Sequence, residues 1–346
     1  MITGSSSKLN ILKQSPHDLV PPPPAETEEN PERQWVPSRF NVRATTGDGR
    51  LVLWNTYWGS ISLFKAEEKE SIEMLLKRKG FAAHDEGIVK YLARRGFLVL
   101  READEYRRFQ YDFGRQQYRN DLLEMILLSS EDCNFRCKYC YEKFARGTMK
   151  PEVREGIKKM VESRVKSIQH LGIGWFGGEP LYGLEAIEDL APFFLEKVEE
   201  HSLSYHSHMT TNGFLLTPDV AEKLLSWKIL KYQITLDGPQ EFHDRSRPTR
   251  TGDNTFWTVF GNLKALQERP DPYQVDIRVN FDHDNRQEVV RLIDLVATEL
   301  GGDQRFRLRF YPVGRWGGTN DANLSVCGID EAEVFKLGMK DRKSVV

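Results

Sequence analysis

Cysteine is scarce in this 346-residue sequence: there are four, and three of them fall between positions 133 and 140. So few, so clustered, exclude a disulfide-stapled secreted fold and fit a reducing cytoplasm. Histidine is also sparse. None of the eight sits beside the cysteines, the nearest being His84 and His170. A closed structural zinc site, which needs four ligands, therefore lacks its fourth from nearby sequence. Charge of one sign is missing too: 49 Lys and Arg against 51 Asp and Glu give a formal net charge of -2. That leaves no bulk basic character for nucleic acid. No apolar run approaches the ~20 residues of a membrane span. The first twenty residues lack the long apolar core of a secretory signal. What remains, 39% hydrophobic and 29% charged residues, describes a soluble globular protein with room for one large domain and a smaller one.

Organisation follows from patterning. Residues 1–38, with Pro21 to Pro24 and an acidic stretch after them, offer little to bury and read as a disordered, Pro-rich tail. Residues 39–120 read as a small α+β module. Phe40–Arg43 and Leu51–Asn55 flank the hairpin signal Thr46-Gly47-Asp48-Gly49, Ile61–Phe64 adds a third strand, and helices follow near 67–79, 85–95 and 102–118. From Met125 a regular alternation begins. Strands at 125–128, 173–176, 207–210, 232–236, 274–280 and 307–311 alternate with helices near 151–168, 184–200, 218–227, 256–267 and 286–300, and a last helix spans about 330–337. Such alternation implies parallel strands and right-handed crossovers. Six units suit a partial (β/α)6 TIM-like barrel, open on one side, over residues 121–340.

The chemistry concentrates just past the first barrel strand. Cys133, Cys137 and Cys140 are spaced C-x3-C-x2-C on a loop that also carries Asp132, Asn134, Arg136, Lys138 and Glu142. Parallel-sheet proteins put their chemistry at such strand ends. Three thiolates on so short a loop can converge on one soft metal centre. They cannot saturate a four-site cluster, so one metal position stays open for a ligand. Structural zinc and buried thiols are the competing readings, the first short of a ligand, the second at odds with so polar a loop.

C-x3-C-x2-C with the aromatic Tyr139 before its last cysteine resembles the cluster loop of the radical S-adenosylmethionine (SAM) enzymes. The resemblance implies a [4Fe-4S] cluster on Cys133, Cys137 and Cys140, with SAM at the open iron. Later strand ends extend it. Gly177-Gly178-Glu179-Pro180 resembles the family's SAM amino-binding motif: glycines let the backbone approach a ligand closely, and a carboxylate can hold an ammonium group. Asn212, in Thr211-Asn212-Gly213, stands where the family faces the SAM cavity. Thr235 and Asp237 alternate onto one face and would meet ribose hydroxyls. Arg247 would clamp the methionine carboxylate in a two-point ion pair. The run Leu236-Asp237-Gly238-Pro239 with His243, Asp244 and Arg247 resembles the sulfatase-maturase-like subgroup that modifies peptides and proteins; His243 reads as a structural hydrogen-bonder. In the run after the fifth strand, Asp284 and Asn285 read as a helix N-cap. The backbone at Val313 and Gly314 matches where the family packs adenine.

The function implied is reductive cleavage of SAM to a 5′-deoxyadenosyl radical that takes hydrogen from a precursor peptide or protein, as in peptide or sulfatase maturation. A flavodoxin- or ferredoxin-type donor would supply the electron. The alternatives are a radical SAM enzyme acting on a small molecule and a non-catalytic zinc-binding scaffold. The N-terminal module resembles the winged-helix-like elements that capture leader peptides by strand addition. The chain departs from the subgroup in one respect: of the cysteines of its C-terminal extension, the SPASM domain, none is matched, and the one further cysteine, Cys327, precedes the last helix and reads as a lone buried thiol or a substrate-side residue rather than an auxiliary-cluster ligand. Residues 341–346, Asp-Arg-Lys-Ser-Val-Val, resemble the translation of a common sequencing-library adapter. They read as an artefact at the end of a truncated gene, which the 3′ nucleotide sequence would decide.

Overall fold

The computed structural model describes residues 34–77, 81–82, 87–328, 330–332 and 335. The expected tail up to residue 33, much of the last helix and the adapter-like end lie outside the described residues. The chain divides into two compact units at Arg119/Asn120.

The first unit opens on β1 (Gln34–Pro37), followed by β2 (Asn41–Thr45), β3 (Leu51–Asn55), β4 (Ile61–Phe64), α1 (Ala66–Leu75), β5 (Phe81–Ala82), α2 (Gly87–Arg94), β6 (Leu98–Leu100) and α3 (Glu105–Gln117). The hairpin forms as expected: β2 pairs antiparallel with β3, and β3 with β4. The tail boundary moves. Gln34–Pro37 is a strand, the centre of a second sheet ordered β5-β1-β6. Trp35 and Val36 are good strand formers, and the prolines nearby masked them in a reading by composition. A small core of Leu51, Leu53, Ile72, Leu92, Phe97 and Leu98 closes the unit.

The second unit begins with β7 (Leu122–Ser130). It continues through α4 (Pro151–Arg164), β8 (His170–Gly177), a 3-10 turn (Pro180–Gly183), α5 (Leu184–Glu200), β9 (Ser204–Thr211), α6 (Pro218–Ser226) and β10 (Ile229–Thr235). Then come α7 (Gln240–Ser246), α8 (Phe256–Gln267), β11 (Gln274–Phe281), α9 (Val289–Glu299) and β12 (Phe306–Pro312). The six strands form one sheet in the order β12-β11-β10-β9-β8-β7, and every pairing is parallel. Each strand lies beside its predecessor. Right-handed crossovers therefore put the helices on one face, and the sheet curls without closing, with β7 and β12 as its edges. This is the six-stranded partial barrel expected.

Alternation decides what each face does. Leu171, Ile173, Trp175, Ile234, Ile277 and Leu308 join helix residues such as Ile187, Phe194 and Val296 in one core. Their neighbours along each strand face the concave side. There Gly172 and Gly174 make room for the imidazoles of His206 and His208: a Cβ on either glycine would come within 2.7 Å of a ring atom. No helix among the described residues is long and apolar enough to cross a membrane.

Candidate active site at the strand ends

The cysteine loop leaves β7 and runs between two neighbours, bonded to both. On one side Gly178 N–H donates to Ser130 O at 3.0 Å and Glu179 N–H to Asp132 O at 3.0 Å. Gly177 takes a φ of +129°, and a Cβ there would lie 2.1 Å from Ser130 O. At Gly178 a Cβ would lie 2.6 Å from the carbonyl oxygens of Glu131 and Asp132. The glycines thus bring the β8 turn against the cysteine loop itself, and the N–H groups of Gly178 and Glu179 are spent on that contact. Pro180 opens the 3-10 turn, and its carbonyl accepts from Ser129 Oγ at 2.8 Å. On the other side Arg136 N–H donates to Pro248 O, Lys138 N–H to Ser246 O and Arg250 N–H to Asn134 O. Arg250 also holds Asp132 with both carboxylate oxygens, at 2.6 and 2.7 Å.

Glu179 is fully buried. Its Oε1 accepts from Thr211 Oγ1 and Leu181 N–H, and its Oε2 from Asn212 N–H at 2.7 Å. Burial pushes its pKa up, against those three donors. Oε2 keeps a lone pair beyond its one bond, the capacity an ammonium group would use. Asn212 turns its amide toward the cysteine loop, with Nδ2 2.7 Å from Asn134 Oδ1 and 3.7 Å from Cys133 Sγ.

Tyr139, Asp237 and Arg247 come together as one buried network. Tyr139 donates to Asp237 Oδ2 and accepts from Arg247 Nη1 at 2.6 Å. Arg247 lies 4.0 Å from the same carboxylate and over the ring of Phe135. Burial raises the Asp237 carboxyl, opposed by the Arg247 charge. Asn280, absent from the expected set, completes the network: its backbone N–H and side-chain amide donate to Asp237 Oδ1, and the amide also reaches Tyr139 OH at 3.0 Å. The signal was present, since Asn280 ends a strand as Asp237 follows one. Asp284 and Asn285 do not cap α9, which starts at Val289 after Glu288. Instead Asn285 Nδ2 donates to Asp237 O and Asn280 O, because two adjacent strand ends left carbonyls that a short buried amide could satisfy. His243 is buried, with Nδ1 accepting from Asp237 N–H. A small cavity opens beside this network, lined by Tyr139, Asp237, Asn280, Asp282, Asn285 and Val313. Thr235 is buried at the end of β10, opposite Arg278 in register. At Gly314 the space of a missing Cβ is taken by the Trp316 indole, 2.8 Å away. Cys327 stands in a group with His283 and Glu331.

A model of the radical SAM superfamily matches residues 127–296, which run from β7 into α9 and include the whole cysteine loop. The chain carries a radical SAM domain. Among curated relatives, the radical SAM cyclopropyl synthase TigE of Paramaledivibacter caminithermalis is 25% identical over 62% of this chain and 49% of its own. The cysteine-type anaerobic sulfatase-maturating enzyme of Clostridium perfringens is 31% identical over 39% of this chain and 38% of its own. The chain thus spans about half, or less, of the length of these two curated relatives. A solved structure, anSMEcpe with bound AdoMet and Cp18Cys peptide, covers 64% of this chain and 59% of its own, with a TM-score of 0.50 and 24% identity, a likeness of fold.

Radical SAM domains use a [4Fe-4S] cluster and SAM, and the residues present fit both. Cys133 Sγ receives Phe135 N–H at 3.3 Å and faces the Asn212 amide, the N–H donors that tune cluster thiolates. Burial pushes Cys133 up to about 12 and Cys137 up to about 11, and raises Cys140. The metal-free thiols are therefore neutral at pH 7, and loading iron must release protons. Arg247 Nε and Asn134 Nδ2 are buried donors without a hydrogen-bond partner among the described residues, as expected of groups that await a ligand's acceptors.

Proposed function

We propose that this chain is the catalytic barrel of a radical SAM enzyme that modifies a peptide or protein side chain. The observation that carries the reading is the fastening of the Cys133–Cys140 loop to the Tyr139–Asp237–Arg247–Asn280 network. Through it a cluster held by the loop and a ligand lying at the ends of β8 to β11 share one rigid frame. When bound, the cluster and SAM supply a 5′-deoxyadenosyl radical able to take hydrogen from an unactivated carbon; the protein supplies position and exclusion of water. Cys133, Cys137 and Cys140 hold the iron. Glu179 meets the methionine ammonium with its remaining lone pair, and Arg247 its carboxylate. Asn212, Thr235 and Asp237 bound the ribose side, and Val313 and Gly314 the adenine. A peptide or protein substrate is supported by the likeness to a sulfatase-maturating enzyme. A flavodoxin or ferredoxin is the expected electron donor, and the hairpin module of residues 34–119 the expected site of peptide capture by strand addition.

Anaerobic reconstitution tests the reading. Roughly four irons and four sulfides per chain are expected, with SAM cleaved to methionine and 5′-deoxyadenosine under dithionite. Cys137→Ala should lose both the iron and the cleavage. One zinc per chain with no SAM cleavage would overturn it in favour of a scaffold.

A further inference from the structure

The concave face of the barrel carries an unbalanced set of cations on β11 and β12. Arg278 lies directly across from Arg309, and Asp276 across from Arg307. All four side chains point away from the helix-covered core that Val275, Ile277, Val279, Leu308 and Phe310 occupy on the same strands. Three guanidinium groups thus share one carboxylate. Like charges placed side by side across a sheet repel, so such a pair is stabilised by an anion from elsewhere.

Two of the arginines are also oriented. Arg278 donates from Nε to Asn280 Oδ1 at 2.8 Å, and its guanidinium stacks on the Tyr311 ring at 4.2 Å. Arg309 turns its Nε toward Asp276 Oδ1 at 3.4 Å. Anchoring at Nε leaves the Nη ends, which make no hydrogen bond among the described residues in either side chain. Arg309 keeps 39% of its side-chain surface accessible. Fixed, partly desolvated forks of this kind match a carboxylate's two oxygens. They also stand close to the chemistry, since Asn280, which Arg278 holds, donates to Tyr139 of the cysteine loop.

We infer that Arg278 and Arg309 form a carboxylate-docking site for the substrate: the chain acts on a peptide that presents an acidic side chain or a terminal carboxylate near the residue modified. The inference rests on the peptide-modifying reading above and names its substrate class.

The test uses the full chain, reconstituted anaerobically and saturated with SAM. Three fluorescein-labelled octapeptides are titrated by fluorescence anisotropy: Gly-Glu repeats with an amidated C-terminus, Gly-Gln repeats with an amidated C-terminus, and Gly-Gln repeats with a free C-terminal carboxylate. At least one carboxylate-bearing peptide should bind about tenfold tighter than the Gln amide, as expected of a charge-assisted fork. Whether it is the Glu amide or the free acid identifies the source of the carboxylate. The double variant Arg278→Gln/Arg309→Gln should bring its affinity down to that of the Gln amide. Arg309→Lys keeps the charge and loses the fork, so it should weaken the preferred peptide by about threefold; it carries the test if the double variant does not fold. Equal binding of all three peptides sinks the inference, as does a preference that survives the double variant. So does a preference that appears only when SAM is left out, which would make the site the cofactor's own. SAM cleavage under dithionite is read separately. Cleavage without a carboxylate preference overturns this inference alone, whereas a preference without cleavage overturns the enzymatic reading.

Discussion

The Tyr139 hydroxyl sits between a buried carboxylate, Asp237, and two donors, Arg247 Nη1 and Asn280 Nδ2. Removing it strands unlike groups unequally. Asn280 keeps its bond to Asp237 Oδ1. Arg247, 6% exposed and without a partner for Nε among the described residues, would be left with the carboxylate 4.0 Å away and the face of Phe135. Tyr139→Phe is therefore expected to lower unfolding stability by about 1–3 kcal/mol, the usual cost of leaving a buried polar group unsatisfied. Urea denaturation of the metal-free chain, with the slope unchanged, measures it; a shift below about 0.5 kcal/mol would mean that water replaces the hydroxyl. At this scale the sequence was informative where residue type and strand-end position agreed, as at Asp237 and Glu179. It was silent on the bonds these residues make with each other. Tyr139 and Asp237 are 98 positions apart, and nothing local in either segment announces the other. Asn280 was missed because the polar run after it drew attention as a helix cap. Its real partner, Asp237, is met only when β10 and β11 lie side by side.

At the scale of elements, the contact that matters is between the end of β8 and the first turn of the cysteine loop. It has no room for a side chain: a Cβ on Gly178 would lie 2.6 Å from two backbone carbonyl oxygens, and backbone does not yield as a flexible side chain does. Gly178→Ala must push the β8 turn away from Glu131 and Asp132, stretching the Glu179-to-Asp132 bond that fastens the loop. The expected outcome is a stable barrel with defective cluster loading: iron per chain reduced by about half or more, for a melting temperature lowered by only a few degrees. Gly156→Ala, at a helical position with open space around its Cβ, should load iron normally. Equal iron content in the two variants would show that the glycine contact does not shape the loop. Barrel element types were legible because long periodic segments announce them. The 184–200 and 256–267 helices were read to the residue. Strand ends were read short, as at β7, which runs from Leu122 rather than Met125, because its outer residues are half-exposed and carry no clean alternation.

The described residues form two hydrophobic cores with no member in common, one closing the small unit and one lying between barrel sheet and helices. Their partition follows from where long apolar periodicity starts, at Met125, and the unit boundary at Arg119/Asn120 falls a few residues before it. The start of the small unit was less legible. β1 is four residues long, ends in proline and pairs with strands more than forty positions away, so no local pattern marks it. Separate cores imply separable stability. Leu53 is fully buried at the centre of the small core, and Leu53→Ala should cost that unit about 2–5 kcal/mol through lost burial and a residual cavity. Most small units cannot spare that much. The variant is therefore expected to melt its small unit early, with protease cutting between residues 34 and 119. The barrel should still bind iron and cleave SAM without peptide, since every cysteine-loop contact described above is made within residues 120–346. Iron content and uncoupled cleavage, measured on the same sample as the proteolysis, decide the matter. If both fall along with the small unit, the two cores fold as one cooperative body, and residues 34–119 support the active site rather than serving only to present its substrate.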